Sequence, residues 1–273
     1  MHKKTIELFL LDGTPNNRII CNISNWDGIG VKIPKTMIKE SKDRVELNNT
    51  GVYFLFNKSE KIIYIGEAEN IYSRISQHLS EDYWNEALIF IKKDNSLNKA
   101  HVKFLENYFY NIAKSVDRYD IKNSNVPTKP SISEFEEFAM EEFAYYIKLI
   151  TNTLDYKSFE KLVENDDKNG DDLFINSIGL QARGRITNEG FVVIKGSESN
   201  NEFKVASSKS LKRKWMQLRE QNIVDKNGIF TKNYLFSSPS LAAAMVLGRN
   251  ANGLTEWKNN KKVTLKAILM KSK

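Results

Sequence analysis

Residues 51–78 read GVYFLFNKSEKIIYIGEAENIYSRISQH: two continuous apolar runs, GVYFLFN and KIIYIG, around the polar KSE, followed by NIYSRISQHL with Ile71, Ile75 and Leu79 four apart. Short unbroken apolar runs bounded by polar turns suit buried strands, and apolar residues at i, i+4, i+8 make one stripe of a helix. The stretch therefore predicts a two-stranded hairpin leading into a helix. Each strand carries a tyrosine two residues from a glycine, Tyr53 and Tyr64, and the helix carries Arg74 and His78 at i, i+4, one above the other. An arginine fork grips a phosphate with two parallel hydrogen bonds, and a histidine moves protons near neutral pH. Singly, each is an ordinary surface or packing residue.

Upstream, IELFLL and RIICNIS flank the turn-rich DGTPNN, which predicts a further hairpin, and GIGVKIPKTMIKES reads as a third strand entering a short helix. Downstream, EALIFIKK is another strand. SLNKAHVKFLENYFYNIAKSV is a helix opened by a Ser or Asn cap, with Val102, Leu105, Phe109, Ile112, Ala113 and Val116 on its apolar face. Glu106 falls within that stripe, where an ionised carboxylate needs a cation, a metal or a hydrogen-bond cluster. The bland alternative is a glutamate at the edge of the stripe reaching solvent or a lysine. A further helix, SEFEEFAMEEFAYYIKLI, sets Phe135, Ala139, Phe143, Ile147 and Ile150 against a row of acids.

KSFEKLVENDDKNGDD, from Lys157, is acidic and ends nearly free of large apolar residues, the composition of a linker. Beyond it, the strands GFVVIKGSE and GIFTKNYLFS alternate with the helices SKSLKRKWMQLREQN and SPSLAAAMVLG. The last has Pro in its first turn and Gly248 at its end. The expected organisation is an N-terminal β-rich extension over 1–48, a central domain of strands and helices over 49–155, an acidic linker over 156–172 and a basic C-terminal domain over 173–273.

The 273 residues carry a net charge of +7, unevenly distributed: Lys204 to Lys273 holds fifteen Lys and Arg against three acids, leaving −5 for the rest. Such asymmetry points to a polyanionic partner, with an inert solubilising surface as the alternative. On the helix SKSLKRKWMQLRE, Lys209, Lys212, Arg213, Lys214 and Arg219 suit a sugar-phosphate backbone, while Trp215 reads as core. The single cysteine, Cys21, excludes an internal disulfide and reads as a small core residue. The longest apolar runs are far shorter than the ~20 residues that span a bilayer, so a cytoplasmic protein without membrane contact is expected.

Together the motifs resemble the GIY-YIG nuclease family. GVY at 51–53 and YIG at 64–66 correspond to its two strand motifs; Asn70, Ile71, Arg74 and His78 to its following helix; KFLENYF to the later helix, with its metal-binding glutamate at Glu106. The family's later asparagine falls on Asn123 or Asn125 of RYDIKNSNVPTKP, with Asn123 favoured. Valine stands for isoleucine in the first motif, and Glu67 follows YIG where a neutral or basic residue is common. The N-terminal stretch and YLFSSPSLAAAMVLGRNANGLTEWK resemble an extension and an uncharacterised domain of one bacterial branch.

The resemblance implies an α/β (α+β) fold: a small antiparallel sheet flanked by helices, preceded by a hairpin extension and followed by a second small α/β domain. It also implies a metal-dependent DNA endonuclease, an enzyme of the hydrolase class, with one Mg²⁺ or Mn²⁺ on Glu106. Tyr53 or Tyr64 would relay the proton of the attacking water, His78 would assist, Arg74 would hold the phosphate, and Asn123 would complete the site. Double-stranded DNA is the expected partner, in restriction, defence or repair. The rival readings are a nuclease fold that binds DNA without cutting it and an RNA nuclease.

Overall fold

The computed structural model describes residues 3–163, 172–177, 179–204 and 208–271, which fall into two compact units, 1–160 and 161–273. Both are mixed α/β. The first is built on strands β1 (Ile6–Leu10), β2 (Ile19–Ile23), β3 (Gly28–Pro34), β4 (Gly51–Asn57), β5 (Ile62–Ala68), β6 (Glu86–Lys92) and β7 (Asp120–Ile121), with helices α1 (Ile71–Gln77), α2 (Lys99–Val116) and α3 (Glu134–Thr153). The strands form one sheet in the order β1-β2-β3-β6-β4-β5-β7, antiparallel except for the parallel β5–β7 pair. The three strands of the N-terminal extension thus continue the same sheet as the hairpin β4–β5, because β6 inserts between β3 and β4.

Every residue of β4 is buried, which is why its sequence is apolar throughout rather than alternating. Val52, Phe54 and Phe56 pack with Ile63, Ile65 and Phe90 under α2 and α3, while Tyr53 and Leu55 join Ile71, Ile75, Trp84 and Ile89 on the face covered by α1. Cys21 is fully buried in the first of these cores. The α2 cap is Asn98, whose side chain accepts from the His101 amide.

Three expectations need correction. Phe135 is 89% exposed and Ala139 is also exposed, because the inward stripe of α3 runs through Glu136, Met140, Phe143, Ala144, Ile147 and Ile150 and both residues lie to one side of it. Tyr156 and Phe159, placed in the acidic linker by composition, are core residues of the first unit; Phe159 meets Phe54 at 5.0 Å between ring centroids. The linker residues 164–171 lie outside the described residues. GIFTKNYLFS is a strand only over Tyr234–Phe236, Ile229 and Phe230 making isolated bridges instead.

The second unit has a four-stranded antiparallel sheet, order β11-β10-β9-β8, made of β8 (Leu173–Ser177), β9 (Leu180–Thr187), β10 (Gly190–Val193) and β11 (Tyr234–Phe236). Its helices are α4 (Lys209–Glu220), α5 (Pro239–Leu247), α6 (Gly253–Glu256) and α7 (Leu265–Lys271). Ala242 to Leu247 are all buried, so α5 is the central element of this core, as a helix apolar on every side must be. It starts at Ser238, whose hydroxyl accepts from the Leu241 amide, and ends at Gly248 with φ +63°. Among the described residues, no helix is long and apolar enough to cross a membrane.

Candidate active site

Pairing fixes where the two tyrosines go. Tyr53 stands opposite Gly66, and Leu55 opposite Tyr64, so both rings lie on the α1 face, with centroids 6.2 Å apart. A methyl group at Gly66 would sit 2.4 Å from the Tyr53 ring; the glycine of YIG is the space into which the tyrosine of GVY packs. Tyr53, on an interior strand, is fully buried, and burial pushes its hydroxyl far above the ordinary phenol range. Tyr64, on β5 near the edge of the sheet, lines an open cleft.

That cleft, about 340 Å³, brings together Tyr64, Glu67, Asn70, Arg74, Lys99 and Glu106. It lies where β5 lacks a strand neighbour: the short β7 pairs only with Ile62 and Ile63. Beyond that pair Asn123 takes over, donating its Nδ2 to Ile65 O at 2.7 Å and accepting from Ile65 N at 3.0 Å through Oδ1. Both ends of its amide are committed to the backbone next to Tyr64, whereas Asn125 is exposed.

Helix α1 begins at Asn70, whose side chain accepts from Ser73 N at 2.8 Å, and this cap sets the rotation that turns Arg74 into the cleft. Arg74 Nη1 donates to Gln77 Oε1 at 2.7 Å. His78 is the C-cap of α1; its Nε2 is 3.2 Å from Tyr53 Oη and its Nδ1 is 3.4 Å from Tyr83 Oη. Its carbonyl accepts from Trp84 Nε1 at 2.8 Å. Burial, and then the Arg74 charge, hold the imidazole below its ordinary pKa, so it is a neutral base at pH 7. Burial likewise pushes the Tyr83 hydroxyl up to about 12. Tyr83 and Trp84 hold the histidine in place, and neither carries a sequence signal that sets it apart from an ordinary core aromatic.

Glu106 approaches from the opposite face of the sheet, on α2. Among the described residues its carboxylate has no hydrogen bond and no ion pair. Burial first, and then the charge of Glu67, push it up to about 7, against the opposing pull of Arg74, Lys99 and Lys103. A half-buried carboxylate left without a partner, beside an arginine and a second carboxylate, is a donor set suited to a hard divalent cation. Tyr64, Arg74 and Glu106 thus meet in one cleft, with His78 and Tyr53 behind Tyr64 and Asn123 bracing the strand.

In the second unit, Lys209, Lys212 and Arg213 line an open groove of about 610 Å³ with Met216, Gln217 and Glu220. Lys214 turns partly inward, its Nζ 5.9 Å from the Tyr234 ring centroid. Arg219 is committed to the interior: its guanidinium lies 3.5 Å from the Trp215 ring centroid, and Nη2 donates to Asn200 O at 2.7 Å. Burial lowers its pKa to about 10, which still leaves it charged. The expectation that Arg219 meets DNA therefore falls on a residue already engaged by its own fold. Trp215 is buried, as its pattern implied.

Residues 49–116 match the family model of the GIY-YIG catalytic domain, and residues 173–269 match that of a domain of unknown function, DUF4357. No curated protein and no solved structure matches the chain. The first match assigns this segment to a nuclease superfamily of hydrolases that act on nucleic acid and are generally dependent on divalent metal.

Proposed function

From a chain that joins a GIY-YIG catalytic domain to DUF4357, we infer a metal-dependent endonuclease that hydrolyses phosphodiester bonds in double-stranded DNA. The observation that carries this reading is the convergence of Tyr64, Arg74 and Glu106, from three separate elements, on one open cleft. Arg74 binds a non-bridging oxygen of the scissile phosphate and neutralises charge that grows on it as water attacks phosphorus. Tyr64 is the hydroxyl facing that water; it takes the water's proton as its own passes by way of the Tyr53 hydroxyl to His78 Nε2, while the bond from phosphorus to the departing sugar oxygen breaks and that oxygen takes a proton from solvent. Tyr53, buried and hydrogen-bonded to His78, keeps the neutral imidazole behind Tyr64 as the base of the cluster. Asn123 is a positioning residue that fixes the backbone carrying Tyr64.

Glu106 would hold one Mg²⁺ or Mn²⁺, which when bound supplies Lewis-acid stabilisation of the leaving oxygen. Glu106 is suited to this because, among the described residues, no hydrogen bond or ion pair engages its carboxylate, which lines the open cleft. Binding along the duplex falls to the exposed face of α4, chiefly Lys209, Lys212 and Arg213, with no part for Arg219. We place the protein in the cytoplasm, where its substrate is found.

The test is incubation of the purified protein with plasmid, single-stranded DNA and RNA, each with Mg²⁺, Mn²⁺ or EDTA. Nicking or linearisation of plasmid that EDTA abolishes supports the reading. Cleavage of RNA alone would make it an RNA nuclease, and retention of DNA without cleavage under all conditions would make it a binding protein on a nuclease fold.

A further inference from the structure

Glu67 has no place in the chemistry above. It follows directly on the YIG strand motif, and it points to the α2 side of the sheet because it alternates with Gly66 and Ala68. Its side chain is 13% exposed, and both carboxylate oxygens lie 3.0 Å from Lys99 Nζ. Glu69 Oε2 stands 3.9 Å from the same ammonium. Lys99 and Glu106 belong to one helix, two turns apart, so both side chains project from the same face towards the cleft. The three side chains line it together.

This arrangement is unfavourable for a surface whose only task is to hold phosphate. An acid in such a cleft repels the substrate, and Glu67 shares the cleft with a second acid, Glu106. The conflict is resolved if a divalent cation sits between the two carboxylates. Mg²⁺ is commonly held by one or two carboxylates, with waters and substrate phosphate completing its six oxygens, rather than by an all-protein cage. That agrees with the absence, among the described residues, of any group of three or more His, Cys, Asp or Glu placed to hold a metal.

We propose that Glu67 is the second carboxylate of the divalent-cation site, and that Lys99 is its resident counter-ion, holding Glu67 towards Glu106 until the cation arrives and then swinging out to solvent. Lys99 has the freedom to do so, being 47% exposed. Once displaced, its ammonium stays beside the cleft, where it can meet a phosphate instead of a carboxylate. The proposal rests on the reading of Glu106 as the metal residue.

The test is titration of the full chain with Mn²⁺ alone, without DNA, with free Mn²⁺ followed by electron paramagnetic resonance and folding checked by circular dichroism. Glu67→Gln should weaken Mn²⁺ binding at least about tenfold, the lower end of what loss of a supporting ligand costs a metal site. Glu67→Asp, which keeps the charge, should retain more affinity than Glu67→Gln. Lys99→Met should tighten binding by up to about fivefold, the scale of one exposed charge interaction. Unchanged or tighter binding by folded Glu67→Gln overturns the ligand assignment, and binding by Lys99→Met no tighter than wild type overturns the counter-ion. Glu106→Gln separates the two levels: if it loses Mn²⁺ while Glu67→Gln does not, only the present inference fails. If Glu106→Gln binds as wild type does, or wild type shows no saturable binding, the metal reading itself fails with it.

Discussion

Helices α2 and α4 each place a charge where the apolar stripe asks for a hydrophobe, and they deal with it in opposite ways. On α4, Arg219 is held inside the fold: it is stacked on Trp215 and donates through Nη2 to the Asn200 carbonyl, while its buried Nη1 has no hydrogen-bond partner among the described residues. On α2, Glu106 has neither a hydrogen bond nor an ion pair among the described residues, and burial pushes its pKa up to about 7. A misplaced charge packed into a core is a structural device. One set on the lining of an open cleft is available to something outside the chain.

The largest effect that could break this contrast is at Glu106. Glu106→Gln keeps the shape and removes the charge, and metal-dependent plasmid cleavage should fall by on the order of 10³-fold or to background. Arg219→Gln should leave single-turnover cleavage at saturating DNA unchanged, while chemical denaturation shows the second unit destabilised by about 1–3 kcal/mol through the lost stacking and hydrogen bond. Reversed outcomes, with Arg219 required for turnover and Glu106 dispensable, would overturn the distinction. Arg74→Ala comes next: turnover should drop roughly 10²-fold with a smaller loss of affinity, as for removal of one transition-state donor. Loss of affinity with unchanged turnover of the saturated complex would reduce Arg74 to a binding residue.

His78 sharpens the picture through pH. Its folded pKa is lowered by burial and then by Arg74, so below pH ~6.5 the unfolded chain binds the proton that the folded site resists. Its contribution to stability is complete above that pH and is lost as pH falls through the folded value. Single-turnover rates should decline over the same window, by up to about tenfold per pH unit, and His78→Gln should flatten the profile at a lower rate. A wild-type profile flat down to pH 5 would remove His78 from the proton path.

The smallest effect is expected on the exposed face of α4. Replacing Lys212, Arg213 and Lys214 with Ser should reduce the slope of log affinity against log salt by up to ~2.7, and by less because Lys214 turns partly inward. Cleavage at saturating DNA and low salt should persist. An unchanged slope would show that this face does not touch phosphate.

How much of this was legible in the sequence differs from residue to residue. Glu106 was visible because a helix stripe exposes any polar intruder by its period. The two tyrosines were visible as a pair but not separable, since Tyr53 is buried by β6, a strand that arrives later in the chain and inserts on the far side of β4. Strand order is a tertiary property, and the local pattern of β4 does not contain it. The same limit hid the salt bridge between Glu67 and Lys99, which links residues on different elements. Phe135 falls outside the pattern for a different reason: the inward stripe of α3 enters its first turn through Glu136 and Glu137, so the aromatic ring faces away and the acids are partly covered. Arg219 looked like its neighbours Lys212 and Arg213, and only the packing of Trp215 sets it apart.

The insertion of β6 also bears on how the chain is made. While the ribosome moves from Asn57 to Lys92, strands β3 and β4 are both already synthesised, yet each lacks the neighbour that will join them. At ordinary translation rates that interval lasts roughly 2 to 7 s. During it the nascent chain presents two unpaired strand edges, one of them the wholly apolar GVYFLFN, and these are templates for association with other chains. Synonymous changes that slow decoding between β4 and β6 would lengthen this exposure without altering a single residue of the finished protein.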